Sequence, residues 1–191
     1  MTSARDSADL CGKLLIAMPG MGDPRFEQSV IYLCAHSAEG SMGLIVNKPA
    51  PGVDVDHLLD QLKIEKGAGR HDMAVHFGGP VEHGRGFVLH SADYASDGGT
   101  MRVDAQYGMT ATLDVLRAIS MGVGPERQIL ALGYAGWGPG QLEAEIHRNG
   151  WLTCDALPEI VFAPDDAGKW AAALGSLGVD PLLLSAEAGR A

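Results

Sequence analysis

Residues 29–47 read SVIYLCAHSAEGSMGLIVN. Two runs rich in β-forming residues, Ser29–His36 and Gly43–Asn47, enclose a short polar linker that contains glycine, and this pattern predicts a β-hairpin. Lys48-Pro49 ends its second strand, because proline has no N–H to give to a ladder. A strand is also expected at Leu14–Ala17, a short apolar run that stops before Pro19. MPGMGDPRFEQ between them, with two prolines and two glycines, is loop or a short turn, with Asp23-Pro24 favouring turn initiation.

Beyond the hairpin the apolar spacing changes. Val55, Leu58, Leu59 and Leu62 recur at helical intervals behind Asp54, a good N-cap, which predicts a helix over Asp54–Lys63. The polar loop EKGAGRHD follows. Met73–Phe77 and Gly86–His90 read as a second strand pair around GGPVEHGR, and Thr100–Asp104 as a short strand. Leu113, Val115, Leu116 and Ile119 predict a helix over Thr110–Met121, ending near Gly122. Gln128–Tyr134 is a strand. AGWGPG is the loop leading into a short helix, Gln141–Arg148, with Pro139 near its first position. A strand at Trp151–Cys154 and an alanine-rich helix at Lys169–Leu177 complete the chain. Hairpins come first and helices interleave later, without regular βαβ alternation. A mixed or antiparallel sheet with helices around it fits this order better than a doubly wound parallel sheet.

The length, 191 residues, suits a single domain over residues 1–191, with 1–10 as a flexible tail. The net charge of −10 and the scattered lysines and arginines disfavour direct nucleic-acid binding, which needs a basic stripe to displace counterions. The polar N-terminus lacks the apolar stretch of a signal peptide. No run approaches the roughly 20 apolar residues of a membrane span. A cytoplasmic location without membrane association is expected. The three cysteines include no C-x-x-C and give no disulfide framework.

The signatures of P-loop hydrolases, dinucleotide-binding folds, zincins and ordinary serine hydrolases are missing, so no catalytic residue is assigned and no cofactor is called for. Four places carry chemistry-bearing residues. Cys34 and His36, two apart on a strand, would share a face; an imidazolium beside a thiol favours the thiolate, and Glu39 is a candidate to orient the histidine. The alternative is a cysteine packed as a small hydrophobe. His76, His83 and His90, with His71 nearby, supply imidazoles, and His76 and His90 would approach each other if their strands pair. No carboxylate or cysteine completes a zinc-like set, so no metal is expected. The glycine-rich segment Gly133–Gln141 offers backbone N–H groups to an anion, with Tyr134 and Trp137 to cover a ring or a peptide. Its alternative is a tight turn with Trp137 plugging the core. If this segment meets GGPVEHGRGF, then Gly78, Gly79, Arg85, Tyr134, Trp137 and Gln141 line a shared pocket, with Arg85 and backbone N–H groups as anion donors. The Asp23–Glu27 stretch has no identifiable catalytic partner and reads as a turn.

Three blocks, LLIAMPGMGDPRFEQSVIYLCAHSAEGSMGLIVNKP, HFGGPVEHGRGFVLH and LGYAGWGPGQLEAEIHRNGWL, resemble the YqgE/AlgH family in that order, from about Leu14 to the C-terminal helix. Lys48 stands where such proteins also carry arginine. The resemblance implies an α+β domain with a mixed, bifurcated, partly barrel-like sheet surrounded by helices. It also implies a transcriptional regulator by family label, with neither a DNA-binding module nor an established active site attached. Two functions are open at this point. One is an indirect regulator that binds a small molecule or a protein partner. The other is a cysteine-based redox protein or enzyme using Cys34 and His36, or a pocket near GYAGWGPG.

Overall fold

A computed structural model describes residues 10–20, 23–69 and 73–184. Most of the expected tail, His71 and part of the polar loop before Met73 lie outside the described residues. Among the described residues ten strands run in the order β1 (Lys13–Ala17), β2 (Val30–Ser37), β3 (Gly40–Ile45), β4 (Pro49–Asp54), β5 (Ala74–Phe77), β6 (Val81–Ser91), β7 (Thr100–Arg102), β8 (Tyr107–Thr110), β9 (Gln128–Trp137) and β10 (Trp151–Asp155). The helices among the described residues are α1 (Val55–Gln61), α2 (Leu113–Ser120), α3 (Gln141–His147), α4 (Pro158–Val161) and α5 (Lys169–Ser176), with short 3-10 turns besides. The chain divides into two compact units, one made of the segments up to Lys48 and from Ala135, the other of Pro49–Tyr134.

The first unit holds an antiparallel sheet ordered β10-β1-β2-β3-β9. Its strands are buried along consecutive residues: Leu14, Leu15 and Ile16 in β1 and Val30–Leu33 in β2 are all fully buried. A continuous apolar run of this kind is what a strand covered on both faces requires. The hairpin expected at β2 and β3 forms, and its turn is tighter than the sequence implied, because Ser37 and Gly40 already pair. Helix α5 is fastened by Trp170, whose indole N–H donates to the Ala17 carbonyl at 2.9 Å. Its first residue, Lys169, is fully buried, and its ammonium donates to the Val46 carbonyl at 2.8 Å and pairs with Asp166 at 2.9 Å. The expected turn at Asp23 is present. The Asp23 carboxylate accepts the Arg25 N–H at 2.9 Å and pairs with its guanidinium at 2.8 Å.

The second unit orders its strands β4-β5-β9-β6-β8-β7, with β5 parallel to β9 and the other pairs antiparallel. This corrects the expected pairing of β5 with β6, since β9 lies between them. His76 sits opposite Ala131 and His90 opposite Gln128, on the two sides of that strand. Strand β4, with two prolines, was not foreseen. It pairs with β5 at only two positions, Pro49 with His76 and Asp54 with Ala74, which is how an edge tolerates proline. Helix α1 starts where expected, the Asp54 carboxylate accepting the His57 N–H at 2.7 Å. Helix α2 starts at Leu113, because Tyr107–Thr110 is taken up by β8. Its buried Val115, Leu116 and Ile119 pack with Val75, Val88 and Leu130 into the core of this unit.

Strand β9 contributes residues to both units. Its last three residues pair with β3, while its earlier residues lie between β5 and β6.

Candidate functional site

The Cys34–His36 pair is corrected by a β-bulge. Leu33 pairs with Gly43 and Ala35 with Met42, so Cys34 is an extra residue in the ladder with β3. An inserted residue breaks the alternation of faces on which the pairing with His36 rested. Cys34 is buried, its thiol 3.8 Å from the Tyr32 carbonyl, and burial, with the Cys11 thiol adding to it, pushes its pKa well up. The low-pKa thiolate expected of this pair is therefore absent. His36 turns to other partners. Its Nδ1 is 2.6 Å from Ser41 Oγ on β3, and its Nε2 is 3.1 Å from Glu143 Oε1 on α3, off the direction of a good hydrogen bond. The carboxylate beside the ring is thus Glu143, whereas Glu39 uses its own N–H to bond the Ser37 hydroxyl.

Gly133–Gln141 also differs from expectation. The strand continues through Ala135, Gly136 and Trp137, and only Gly138–Gly140 is turn. That turn closes on itself. Gly138 N–H donates to Gln141 Oε1 at 3.0 Å while Gln141 N–H donates to the Gly138 carbonyl at 3.1 Å. The Gly138 N–H that an anion would need is already engaged. Trp137 is buried and its indole N–H donates to Glu145 Oε2 at 2.7 Å. The indole N–H of Trp151 donates to the same oxygen at 3.2 Å, and Gln141 Nε2 donates to Oε1 at 3.4 Å. The two indoles meet edge to face at 6.0 Å, and Phe26 meets Trp151 at the same distance. The geometry matches the alternative reading, a tight turn with the tryptophan in the core. Glu145 is the residue that sequence reasoning missed; its only signal was its position four after Gln141 on one helix face.

Gly78, Gly79, Arg85 and Tyr134 belong to the second unit, and Trp137 and Gln141 to the first. Within the second unit, Val81 pairs with Tyr134 and Gly86 with Leu132. Between these pairs lie residues 82–85 of β6 against Gly133 alone of β9, so Glu82, His83, Gly84 and Arg85 loop out and are all exposed. Glu82 is left-handed, at φ 48°, a conformation costly for a residue with a side chain. Arg85 returns its guanidinium over the Phe87 ring, 5.1 Å from the centroid, and Phe87 meets Tyr134 edge to face at 5.9 Å. Gly78 and Gly79 are buried beside this loop, and the Gly78 N–H donates to the Leu132 carbonyl at 2.8 Å.

The histidines do not converge, and among the described residues no three of His, Cys, Asp and Glu come together as a metal site. His90 instead ends a polar chain. Its Nδ1 is 2.8 Å from the Ser91 carbonyl, which can only accept, so Nδ1 carries the proton. Nε2 then accepts from the Thr110 hydroxyl at 2.7 Å, Thr110 Oγ1 accepts from Thr100 at 2.8 Å, and Thr100 Oγ1 accepts from the Ser96 N–H at 2.8 Å. Burial holds the His90 pKa below its ordinary value, in keeping with a neutral ring. His76 Nδ1 lies 3.3 Å from the Leu130 carbonyl, and His83 is exposed in the β6 loop.

Mixed strands paired through one shared strand, with indoles gathered on a carboxylate and a protruding arginine loop, define an α+β protein whose polar clusters are tied into its frame. The AlgH-like family model matches residues 14–182. This chain belongs to that family, as the three sequence blocks implied. A UPF0301 protein of Ruegeria pomeroyi is 61% identical over 184 residues, covering 96% of this chain and 100% of that protein. One of Cereibacter sphaeroides is 56% identical over 183 residues, covering 96% and 100%. Among solved structures, the AlgH protein from Pseudomonas aeruginosa matches with a TM-score of 0.77 at 43% identity, over 95% of this chain and 96% of that one. A protein from Corynebacterium diphtheriae matches at 0.68 and 22% identity, over 90% and 92%, and shares the fold. Among the described residues no helix is long and apolar enough to cross a membrane.

Proposed function

We propose that this chain is a cytoplasmic binding protein that reaches transcription indirectly, through a protein partner or small molecule, and that its contact surface is the exposed β6 loop Glu82–Arg85 with half-buried Tyr134 beside it, the buried Phe87 ring supporting the loop from beneath. The observation that carries this reading is the Arg85 guanidinium held over Phe87 at the root of an exposed loop with a left-handed residue. Backbone strain persists only where the surroundings enforce it, and it gathers at binding sites. Arginine and aromatic rings are also the side chains that most often anchor a partner. The net charge of −10 repels phosphates and supports a partner other than DNA.

The test places a photo-crosslinking residue at His83 in the full chain inside its own cells, with a second probe at exposed Lys66 as control. A defined crosslinked protein at position 83, absent at 66 and lost in Arg85→Ala, is the expected result. A small molecule retained in native mass spectra and lost in the same variant is the other supporting one. Equal labelling at both positions with no retained molecule would overturn the reading. A gel shift that weakens steeply with salt would replace it with direct DNA binding.

A further inference from the structure

The three cysteines differ in setting: Cys34 and Cys154 are buried and Cys11 is exposed. Cys11 is the second residue of a reverse turn, Leu10–Lys13, closed by the Lys13 N–H on the Leu10 carbonyl at 3.1 Å. Gly12, third in the turn, has φ 81°, the left-handed value that a type II turn needs at that place. The Gly12 N–H donates to the Leu33 carbonyl at 2.8 Å, which fastens the turn to β2 beside Cys34. The β1 and β2 pairing ends at Leu14 with Tyr32, and from there the Gly12 bond to Leu33 lays the turn alongside the Leu33–Cys34 stretch. A sulfur in hydrogen-bond contact with a residue's carbonyl lies within a few ångströms of that residue's Cα, and a disulfide joins Cα atoms about 4.4–6.8 Å apart. The Cys11 thiol already donates to the carbonyl oxygen of Cys34 itself at 3.3 Å. On its other side Cys34 is the bulged residue, outside the regular ladder with β3.

We propose that Cys11 and Cys34 form a reversible intramolecular disulfide, with Cys11 as the sulfur that meets the oxidant and Cys34 as the one that resolves it. This is independent of the binding surface proposed above. The oxidant is a low-molecular-weight disulfide such as oxidised glutathione. The Cys11 thiolate attacks one of its sulfurs, the S–S bond breaks, and a glutathione thiolate leaves with one half of the oxidant. Cys34 then gives up its proton and attacks the Cys11 sulfur, expelling the second glutathione thiolate. Two protein thiols are oxidised, and one glutathione disulfide is reduced to two thiols. The second step is the slow one, because a buried thiol ionises reluctantly.

The reduced full-length protein is exposed to oxidised glutathione, quenched with acid, unfolded and alkylated, then weighed intact and mapped by peptides. Two of the three thiols should become unavailable, with the Cys11 and Cys34 peptides joined. Cys154→Ala should do the same. Cys34→Ala should stop at the mixed disulfide on Cys11, and Cys11→Ser should keep its remaining thiols alkylatable. A wild type that stops at the mixed disulfide, joins two chains through Cys11, bonds Cys154, or does not react overturns the proposal.

Discussion

Gly78 sits so close to the Gly133 carbonyl that a Cβ built on it would lie 2.3 Å from that oxygen. The closeness is mutual, since a Cβ on Gly133 would lie 2.4 Å from the Gly79 carbonyl oxygen. Gly78 was expected to line a pocket and Gly133 to open a glycine-rich anion-binding segment; both are required by the approach of β5, β6 and β9 backbones to one another.

Gly133→Ala should therefore be among the most damaging changes in the second unit. The new methyl meets backbone on two sides, and φ is 76°, where an L-residue pays about 1–2 kcal/mol before any clash is counted. A loss of about 3 kcal/mol or more is expected in urea unfolding. Gly138→Ala is the control. A Cβ there meets only the end of Gln141, at 3.8 Å, and the cost should stay within about 0.5 kcal/mol.

Glu145 holds two indoles by one oxygen. Glu145→Ala leaves two sheltered N–H donors unpaired, each worth about 1–3 kcal/mol, so a loss of about 2–6 kcal/mol and altered tryptophan emission are expected. Glu145→Gln keeps an acceptor and should lose about 1 kcal/mol. Equal losses in the two variants would show that the shared oxygen does not organise this corner.

Lys169 gives a pH signature. Burial pushes its ammonium below the ordinary lysine value of 10.5, against the opposing pull of Asp166. Over that window the unfolded chain binds the proton more tightly than the folded one, so stability contributed through this group rises as pH climbs toward 10.5. Wild type should gain stability relative to Lys169→Met across the alkaline range in chemical unfolding, and a flat difference would contradict the buried charge. Asp166→Ala, which deprives a buried cation of its carboxylate, should cost about 3 kcal/mol at neutral pH.

What the sequence made legible was local. The β2 and β3 hairpin, the Asp54 cap and the apolar stripe of α2 each depend on residues a few positions apart. What it hid was long-range or exceptional. Nothing in Val75–Phe77 or Phe87–His90 announces that β9, some forty residues later, comes between them. The bulge at Cys34 leaves no mark in SVIYLCAH, yet one inserted residue was enough to separate Cys34 from His36. Pro49 and Pro51 argued against a strand where β4 runs, because propensity has no knowledge of which strand is an edge. For the candidate pocket residues, residue type alone gave no sign of the partner each one takes. Trp137 and Gln141 both donate to Glu145, while the Arg85 guanidinium lies over Phe87, a buried ring two residues along the strand.

The His90 chain has a sense of direction. Its terminal acceptor, the Ser91 carbonyl, cannot reverse its role, and its first donor, the Ser96 N–H, cannot reverse either. Every hydroxyl between them is therefore oriented like beads threaded one way on a string. Thr100 and Thr110 lose the freedom to trade donor for acceptor, and three neighbouring strands share a single arrangement of protons where isolated threonines would have several. A proton added at Nε2 would face the Thr110 hydroxyl that donates to it, so the row could not keep this order with a charged ring.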